Sequence, residues 1–354
     1  MFSCQFVVTS TAISFFIEKY LAPFKACPRL VVFVLILMNL THILVFPAYC
    51  GIKYEFHPIV RGIYTGYACV WFFKFSSYHH VWHDLRNLIP KIQRTIKKKQ
   101  SNEDIINMTM NGTTSAEKSI SEETPKKILK LTDDLKKDVM AYPSNVSAWN
   151  AFIFTFLPTM VFQVRYPFAR RNIKGFFMGV AKLSVLFYVY IIIMLAFFNP
   201  KMQEFMRNFD MNNWVTVLVL YIDVCLATML AFWITFYAMF HIYLNAFADL
   251  TGFTDRRFYG DWWNSSSFSE YWQKWNRPTH DYLKRHVYFF ALSKGFSKTW
   301  SMIIVFIVSG VFHEYIFAVC LGKISGQGFN AMVFYIPLIL ICDGYFRIGS
   351  GKNR

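Results

Sequence analysis

An ionisable pair, His313-Glu314, interrupts an apolar run that extends from Trp300 to Gly322. A charge at mid-bilayer depth costs about 3 kcal/mol, so a membrane segment that keeps such a pair usually needs it for proton transfer, ion passage or catalysis. A neutral, buried imidazole can accept a proton from a hydroxyl that attacks an ester or thioester. We therefore predict that His313 is a buried general base, with a hydrogen bond between helices as the structural alternative.

Other catalytic signatures around this pair are incomplete. The second histidine of a zinc-protease HExxH helix would stand at position 317, which is Phe. The chain has no GxSxG sequence of a serine hydrolase. Its seven cysteines are scattered and include no CxxC pair. We therefore predict neither a disulfide framework nor a metal site.

A histidine cluster, HHVWHD at 79–84, imitates two known signatures. The spacing of His79 and Asp84 is that of the histidine–aspartate pair of glycerol-phosphate acyltransferases, and HHxxH is one histidine box of di-iron desaturases. The other six histidines are dispersed, and one box cannot hold two iron ions. We interpret the cluster as an interfacial segment with His and Trp at headgroup depth.

A segment between 254 and 288 is dense in aromatic, amide and cationic residues. Its Trp and Tyr content is typical of a membrane interface or a tunnel mouth, with an amphipathic surface segment as the structural alternative. The amide of Asn276 can orient a base or donate to a carbonyl oxygen as negative charge develops. Asn276 and His280 share a face if this part is helical, although Pro278 favours a helix start there. Six cations are candidates for binding phosphates: Arg256, Arg257, Lys274, Arg277, Lys284 and Arg285.

The composition is that of a membrane protein. The 354 residues are 55% hydrophobic and only 16% charged, against about 25% charged in a soluble domain. The net charge of +16 is not accompanied by a nucleic-acid-binding motif. Lys and Arg lie in loops beside apolar runs, as expected for cytosolic loops that face anionic lipid. We expect a multi-pass protein that contacts the bilayer and binds no nucleic acid.

Apolar runs of about 20 residues predict membrane-spanning helices at 30–49, 59–77, 176–198, 214–247, 300–321 and 329–346. A shorter run at 149–163 is either re-entrant or a short span. The run at 214–247 is too long for one simple crossing, so it contains two elements or one tilted helix. Its acid, Asp223, fits a role in helix packing as well as a functional one.

The predicted organisation has four parts: an N-terminal segment 1–28, first spans in 29–90, a basic linker 91–140 and a transmembrane core 141–354. The linker mixes charges and cannot bury enough apolar surface to offset its ordering entropy, so we expect its middle to be disordered. Its Lys and Arg content places it on the cytosolic side. Residues 124–139 within it fit a surface amphipathic helix.

Five ordered motifs resemble the membrane-bound O-acyltransferase family, in its sterol and diacylglycerol acyltransferase branch. They are YPSNVS at 142–147 with FLPTMVFQVRYP at 156–167, LNAFADLTGFTDR at 244–256, FYGDWWN at 258–264, KWNRPTHDY at 274–282, and SGVFHEY at 309–315. The likeness covers about 60–350 apart from the linker. It implies an all-α transmembrane helical bundle with an internal tunnel, located in the endoplasmic reticulum membrane and assembled as a homodimer or homotetramer.

The resemblance also implies residue roles. His313 would be the catalytic base and Asn276 its polar partner, with acyl-CoA as co-substrate and no other cofactor. The substrate site would be formed by Phe258, Tyr259, Asp261, Trp262, Trp263, Asn264, Trp275, His280 and Glu314.

We expect the acceptor alcohol to be a sterol, with diacylglycerol as the alternative. DWWNSSSF at 261–268, then HDYL and RHVY, resembles the sterol enzymes, whereas Pro278 after WN and the YPSNVS sequence also fit the diacylglycerol enzymes. A non-catalytic lipid-binding protein or transporter of the same fold is the competing class, although the hydropathy shows no transporter-like repeat. Only about 40 residues follow His313, fewer than in relatives. We therefore expect a reduced enzyme or an incomplete sequence.

Overall fold

The computed structural model describes residues 2–24, 27–109, 137 and 141–343. Within these ranges the chain is helical, and its one sheet-like pairing is an isolated antiparallel bridge between Phe168 and Phe253. The predicted all-α class is confirmed. The principal helices are α1 Phe2–Phe16, α2 Arg29–Lys53, α3 Pro58–Thr109, α4 Ala148–Phe156, α5 Ile173–Arg207, α6 Trp214–Thr251, α7 Phe268–Trp275, α8 Arg277–Leu283, α9 Lys298–Leu321 and α10 Gln327–Leu338.

In the described ranges, four helices are long and apolar enough to cross a membrane: α2, α5, α6 and α9. The predicted span 59–77 lies inside α3, which is not one of the four, and it contains Arg61 and the buried Lys74. The Lys74 ammonium donates to the Phe154 carbonyl at 2.9 Å. In the apolar run at 149–163, only the first part is helical, as the nine-residue α4. A helix of this length is too short to span about 30 Å of hydrocarbon.

The long run at 214–247 is one continuous helix, α6, of 38 residues. A π-helical turn at Tyr237–Tyr243 lies near its end. Asp223 accepts a hydrogen bond from Lys201 on α5 at 2.8 Å. This pairing favours the helix-packing interpretation of Asp223 over a functional one.

The predicted start of the linker at residue 91 lies inside a helix, because α3 continues to Thr109. Residues 110–136 and 138–140, which include most of the predicted amphipathic helix 124–139, are outside the described residues. The last predicted span, 329–346, corresponds to α10 and the helical turn Ile339–Asp343 that follows it.

The chain divides into two compact units. The first contains Met1–Thr155, Met160–Val164 and Tyr282–Phe334, and the second contains Phe156–Thr159, Arg165–Asp281 and Tyr335–Arg354. In the first unit, α9 packs against α3 through the rings of Phe312 and Phe73, whose centroids are 4.6 Å apart. The Tyr315 hydroxyl donates to the Leu44 carbonyl on α2 at 2.5 Å. These contacts hold the helix that carries His313.

In the second unit, the end of α6 is closed by Gly252, which adopts the left-handed φ of 78° that only glycine tolerates readily. The Gly252 carbonyl accepts the Ala169 N–H at 2.8 Å, and the Pro167 carbonyl accepts the Thr254 N–H at 3.2 Å. The chain leaving α6 is therefore paired with the segment before α5. This pairing sets where the FYGDWWN loop begins.

Candidate active site

Two motifs that are separate in the sequence, FYGDWWN and KWNRPTHDY, meet in the second unit. The Gly260 N–H donates to the Lys274 carbonyl at 2.8 Å, and the Arg277 N–H donates to the Phe258 carbonyl at 3.1 Å. A Cβ at Gly260 would lie 3.1 Å from Lys274 Cγ, so glycine permits this close approach. The two motifs therefore form one backbone structure around Asn276.

A double ion pair fastens the FYGDWWN loop to α7. The Lys274 ammonium lies 2.7 Å from a carboxylate oxygen of Asp261 and 2.7 Å from one of Glu270. Hydrogen bonding to Lys274 lowers the pKa of Asp261 and, together with Ser266, lowers that of Glu270 to about 2. Both carboxylates are therefore ionised at neutral pH and keep the lysine in place.

Aromatic stacking anchors the same loop to α6. Trp262 stacks on Trp233 with ring centroids 5.2 Å apart, and Trp275 stacks on Phe236 at 4.9 Å. Trp262 and Trp275 meet edge to face at 5.0 Å, an arrangement that aromatic quadrupoles favour. The Trp262 indole N–H is buried and has no hydrogen-bond acceptor among the described residues. The aromatic cluster thus fixes one tryptophan from each motif.

The predicted substrate-binding residues divide into buried and exposed groups. Phe258 is a core residue at 3% exposure, and Tyr259 is hydrogen-bonded to His241 on α6 at 3.0 Å. Trp263 and Asn264 are exposed. Asp261 is exposed as well, so these three side chains are the members of the loop that are accessible to a ligand.

Asn276 is the N-cap of α8. Its side-chain oxygen accepts the Thr279 N–H at 3.1 Å, and its carbonyl accepts the His280 N–H at 2.9 Å. The prediction that Pro278 marks a helix start is confirmed, with the proline at the second position of α8. Because the cap occupies the side-chain oxygen, the amide NH₂ is the end of Asn276 that can donate to a substrate.

Three of the six predicted phosphate-binding cations are paired with carboxylates. Arg256 lies 2.7 Å from Asp249, and Arg257 lies 2.8 Å from Asp255. Lys274 forms the double pair described above. A phosphate would have to displace these carboxylates, so the structure does not support these three as its first ligands.

His313 lies on α9 in the first unit, and its side chain is exposed rather than buried as predicted. Val311 and Phe317 are also exposed, at 54% and 44%, because no described residue covers this face of α9. The Nδ1 atom lies 2.7 Å from the Ser309 carbonyl oxygen. A carbonyl only accepts, so Nδ1 carries a proton, and Nε2 is the ring nitrogen with which His313 could accept one.

Glu314, predicted to contact substrate, instead accepts hydrogen bonds from backbone N–H groups of the turn before α10 and of the first turn of α10. Both of its carboxylate oxygens are engaged in this way. The structure therefore gives Glu314 a local role in joining α9 to α10.

The histidine cluster at 79–84 lies in the core of the first unit. His79 is 4% exposed and Trp82 1%, so the interfacial interpretation is wrong for these two side chains. His79 Nδ1 lies 2.7 Å from a carboxylate oxygen of the fully buried Glu18, which also binds Arg86. Asp84 is instead near His80 and His83, at 3.6 and 3.7 Å. The histidine–aspartate signature is therefore not formed.

His80 belongs to a chain of hydrogen bonds that fastens the segment after α8 to α3. Its Nδ1 lies 3.1 Å from His286 Nδ1, and His286 Nε2 lies 2.7 Å from the Ser77 hydroxyl. The Ser77 hydroxyl also accepts the Phe162 N–H at 2.9 Å. Burial lowers the pKa of His286 to about 3 and keeps the ring neutral. Within the described part of the chain, no group of His, Cys, Asp or Glu is arranged to hold a metal ion.

The structure thus brings the loop residues, Trp275 and Asn276 together in the second unit, with His280 one turn beyond Asn276 on α8. His313 and Glu314 belong to the first unit. The pairing of the base His313 with Asn276 stays a prediction.

Comparison with known proteins identifies several relatives. The model of the membrane-bound O-acyltransferase family matches residues 35–339. Diacylglycerol O-acyltransferase 1B of Glycine max is 30% identical over 344 residues, which are 96% of this chain and 60% of that protein. Diacylglycerol O-acyltransferase 1A of Glycine max is 28% identical over 341 residues, 96% of this chain and 61% of that protein. The human diacylglycerol O-acyltransferase 1 is 33% identical over 215 residues, covering 60% of this chain and 44% of that protein. The chain therefore spans about three fifths of the soybean relatives.

Proposed function

Since this chain belongs to the membrane-bound O-acyltransferase family, we propose that it transfers an acyl group from acyl-CoA to the hydroxyl of a membrane lipid. The observation that carries this proposal is the state of His313. Its Nδ1 proton is held by the Ser309 carbonyl at 2.7 Å, which supports a role for Nε2 as the base. This histidine lies on α9, one of the helices able to cross a membrane.

In the proposed reaction, His313 Nε2 accepts the hydroxyl proton as the alcohol oxygen attacks the thioester carbonyl carbon. The tetrahedral intermediate then loses its C–S bond, and the imidazolium returns the proton to the departing sulfur. The products are an ester and the CoA thiol, with no net release of a proton. The Ser309 carbonyl stabilises the imidazolium through Nδ1–H, and the Asn276 NH₂ donates to the oxyanion.

We propose diacylglycerol as the acceptor, in place of the sterol expected from the sequence. The relatives named above are diacylglycerol O-acyltransferases. The sterol expectation depended partly on the eight-residue sequence DWWNSSSF at 261–268, which belongs to a loop with exposed side chains at Trp263 and Asn264. Relatives that match nearly the whole chain are a broader basis than this loop.

The acceptor is tested in microsomes from a host that lacks its own neutral-lipid acyltransferases. Labelled oleoyl-CoA is added with diacylglycerol or with cholesterol to microsomes that contain the wild-type chain or the His313→Ala variant, and the lipid products are separated. We expect labelled triacylglycerol that depends on His313. A His313-dependent steryl ester would restore the sterol assignment. No ester from either acceptor would favour the non-catalytic lipid-binding alternative.

Lys274→Gln tests whether the fastened loop shapes the acyl-CoA site. Removal of the ammonium leaves Asp261 and Glu270 without their shared partner, so the loop that carries Trp262 is held less firmly. We expect the KM for acyl-CoA to rise about threefold, as for the loss of exposed ion pairs, with a smaller change in kcat. Lys298→Gln, at an exposed lysine that starts α9, is the matched control. Equal KM values for the two variants would contradict a role of the loop in acyl-CoA binding.

The endoplasmic reticulum location and a homodimer or homotetramer are further parts of this proposal, supported by the family resemblance. Fluorescence microscopy of the tagged chain tests the first, and chemical cross-linking in intact membranes tests the second. A plasma-membrane signal or a cross-linking pattern limited to monomer would contradict them.

A further inference from the structure

The connection between α9 and α10 is organised around the Glu314 carboxylate. One of its oxygens accepts the N–H groups of Ser325 and Gly326 at 2.8 and 2.7 Å. The other accepts those of Gly328 and Phe329 at 2.9 and 3.3 Å. A carboxylate offers about four lone-pair directions, so its acceptor capacity is filled. These donors include free N–H groups at the start of α10, where a negative charge is stabilised by the helix dipole.

The first turn of α10 also lies directly on the backbone of α9 at the candidate base. A Cβ at Gly328 would lie 2.8 Å from the His313 carbonyl carbon and 2.8 Å from the Glu314 nitrogen. On the other side, a Cβ at Gly310 would lie 3.0 Å from the Phe329 ring. Glycine at both positions permits the two helices to touch without intervening side chains. The sequence GQGF at 326–329 therefore packs directly on the helix segment that carries the HEY motif.

We propose that Glu314 is a positioning residue, which clasps the turn 325–329 and so holds α10 against the His313 backbone. The inference rests on the proposed function, because it assigns a role in acyl transfer to a residue whose carboxylate is occupied by backbone N–H groups. The clasp supports the helix segment that includes both Ser309, which sets the His313 tautomer, and His313 itself. Displacement of a catalytic group by about 1 Å costs about 100-fold in rate.

The clasp is tested first without any activity measurement, by hydrogen exchange of the backbone amides of 325–329 in nanodiscs. We expect exchange to become about tenfold faster in Glu314→Ala, which loses all four acceptor contacts. Glu314→Gln keeps one carbonyl oxygen and should show an intermediate rate. Glu204→Gln, at an exposed glutamate of α5, is the control and should leave these amides unchanged. Unchanged protection in Glu314→Ala would overturn the clasp.

Steady-state kinetics then separate positioning from substrate binding. We expect Glu314→Gln and Gly328→Ala to lower kcat by about 10- to 100-fold, with the KM for acyl-CoA and for diacylglycerol within about twofold of wild type. Gly328→Ala leaves the Glu314 carboxylate intact but displaces α10. The same decrease in kcat in both variants would therefore identify the packing of α10 on α9 as the cause. Gly66→Ala is the control, because a Cβ there meets nothing within 4 Å.

Three results would overturn the positioning role. A raised KM with normal kcat in Glu314→Gln would make Glu314 a substrate ligand. Faster amide exchange with normal kcat would make the clasp purely structural. If the wild-type protein forms no ester, the proposed function is wrong, but the positioning role can still be tested. The rate at which diethyl pyrocarbonate modifies His313 then replaces kcat as the measurement. An unchanged modification rate in both folded variants would then overturn the positioning of His313.

Discussion

His313→Ala is expected to lower kcat by about 1,000-fold, because a positioned general base contributes about 10²- to 10⁴-fold to such a reaction. The protein should still fold, since the His313 side chain is exposed and its hydrogen bonds are to Ser309 within the same helix. The measurement is the initial rate of ester formation per mole of purified protein, with the size-exclusion profile as the test of folding.

Ser309→Ala is the matched control for this variant. It removes a hydroxyl 3.4 Å from His313 Nδ1 but keeps the backbone carbonyl that accepts the Nδ1 proton at 2.7 Å. We expect its kcat to stay within about threefold of wild type, because the tautomer is set by the carbonyl. Turnover above a tenth of the wild-type rate in His313→Ala would remove His313 as the base.

The features that could be predicted from the sequence depend on local rules. Hydropathy located the apolar segments that become α2, α5, α6 and α9, because a membrane-spanning helix must be apolar over about 20 residues. The start of α8 near Pro278 followed from the fixed φ and missing N–H of proline. The sequence motifs also pointed to the family that the comparisons identify.

The features that could not be predicted depend on tertiary pairing. His79 is 61 residues from its partner Glu18, and nothing in the residues near either indicates that the two meet. The sequence does show that Glu18 is an acid in an apolar N-terminal segment, where a buried charge requires a partner, but it does not show which residue that partner is. In the same way, Lys274 was expected to bind a phosphate, whereas the fold places Asp261 and Glu270 beside it.

Glu314 illustrates the limit of a motif without a structure. The family resemblance implies a place for Glu314 in the substrate site, whereas the residues themselves show only that it is next to His313. Successive residues of a helix point about 100° apart, so adjacent side chains face different surroundings. The acceptor contacts with the turn 325–329 arise only once α10 folds back on α9.

Asn276 carries the second large predicted effect, and its two groups can be separated by substitution. The side-chain oxygen caps α8 through the Thr279 N–H at 3.1 Å, while the NH₂ is proposed to donate to the oxyanion. Asn276→Asp keeps an equally good capping oxygen and removes the NH₂. We expect it to fold normally and to lose about 100- to 1,000-fold in kcat, as for the loss of one oxyanion donor.

Asn276→Ala removes the cap as well, so we expect the same loss of kcat together with a loss of stability of about 1 kcal/mol. The comparison of kcat, KM and melting temperature across the two variants separates the roles, because only the alanine variant should melt earlier. A near-wild-type rate for Asn276→Asp would remove Asn276 from the reaction and leave it as the cap of α8. A low rate in both variants, with a normal melting temperature in the aspartate variant alone, requires a donor at this position that acts on the substrate rather than on the fold.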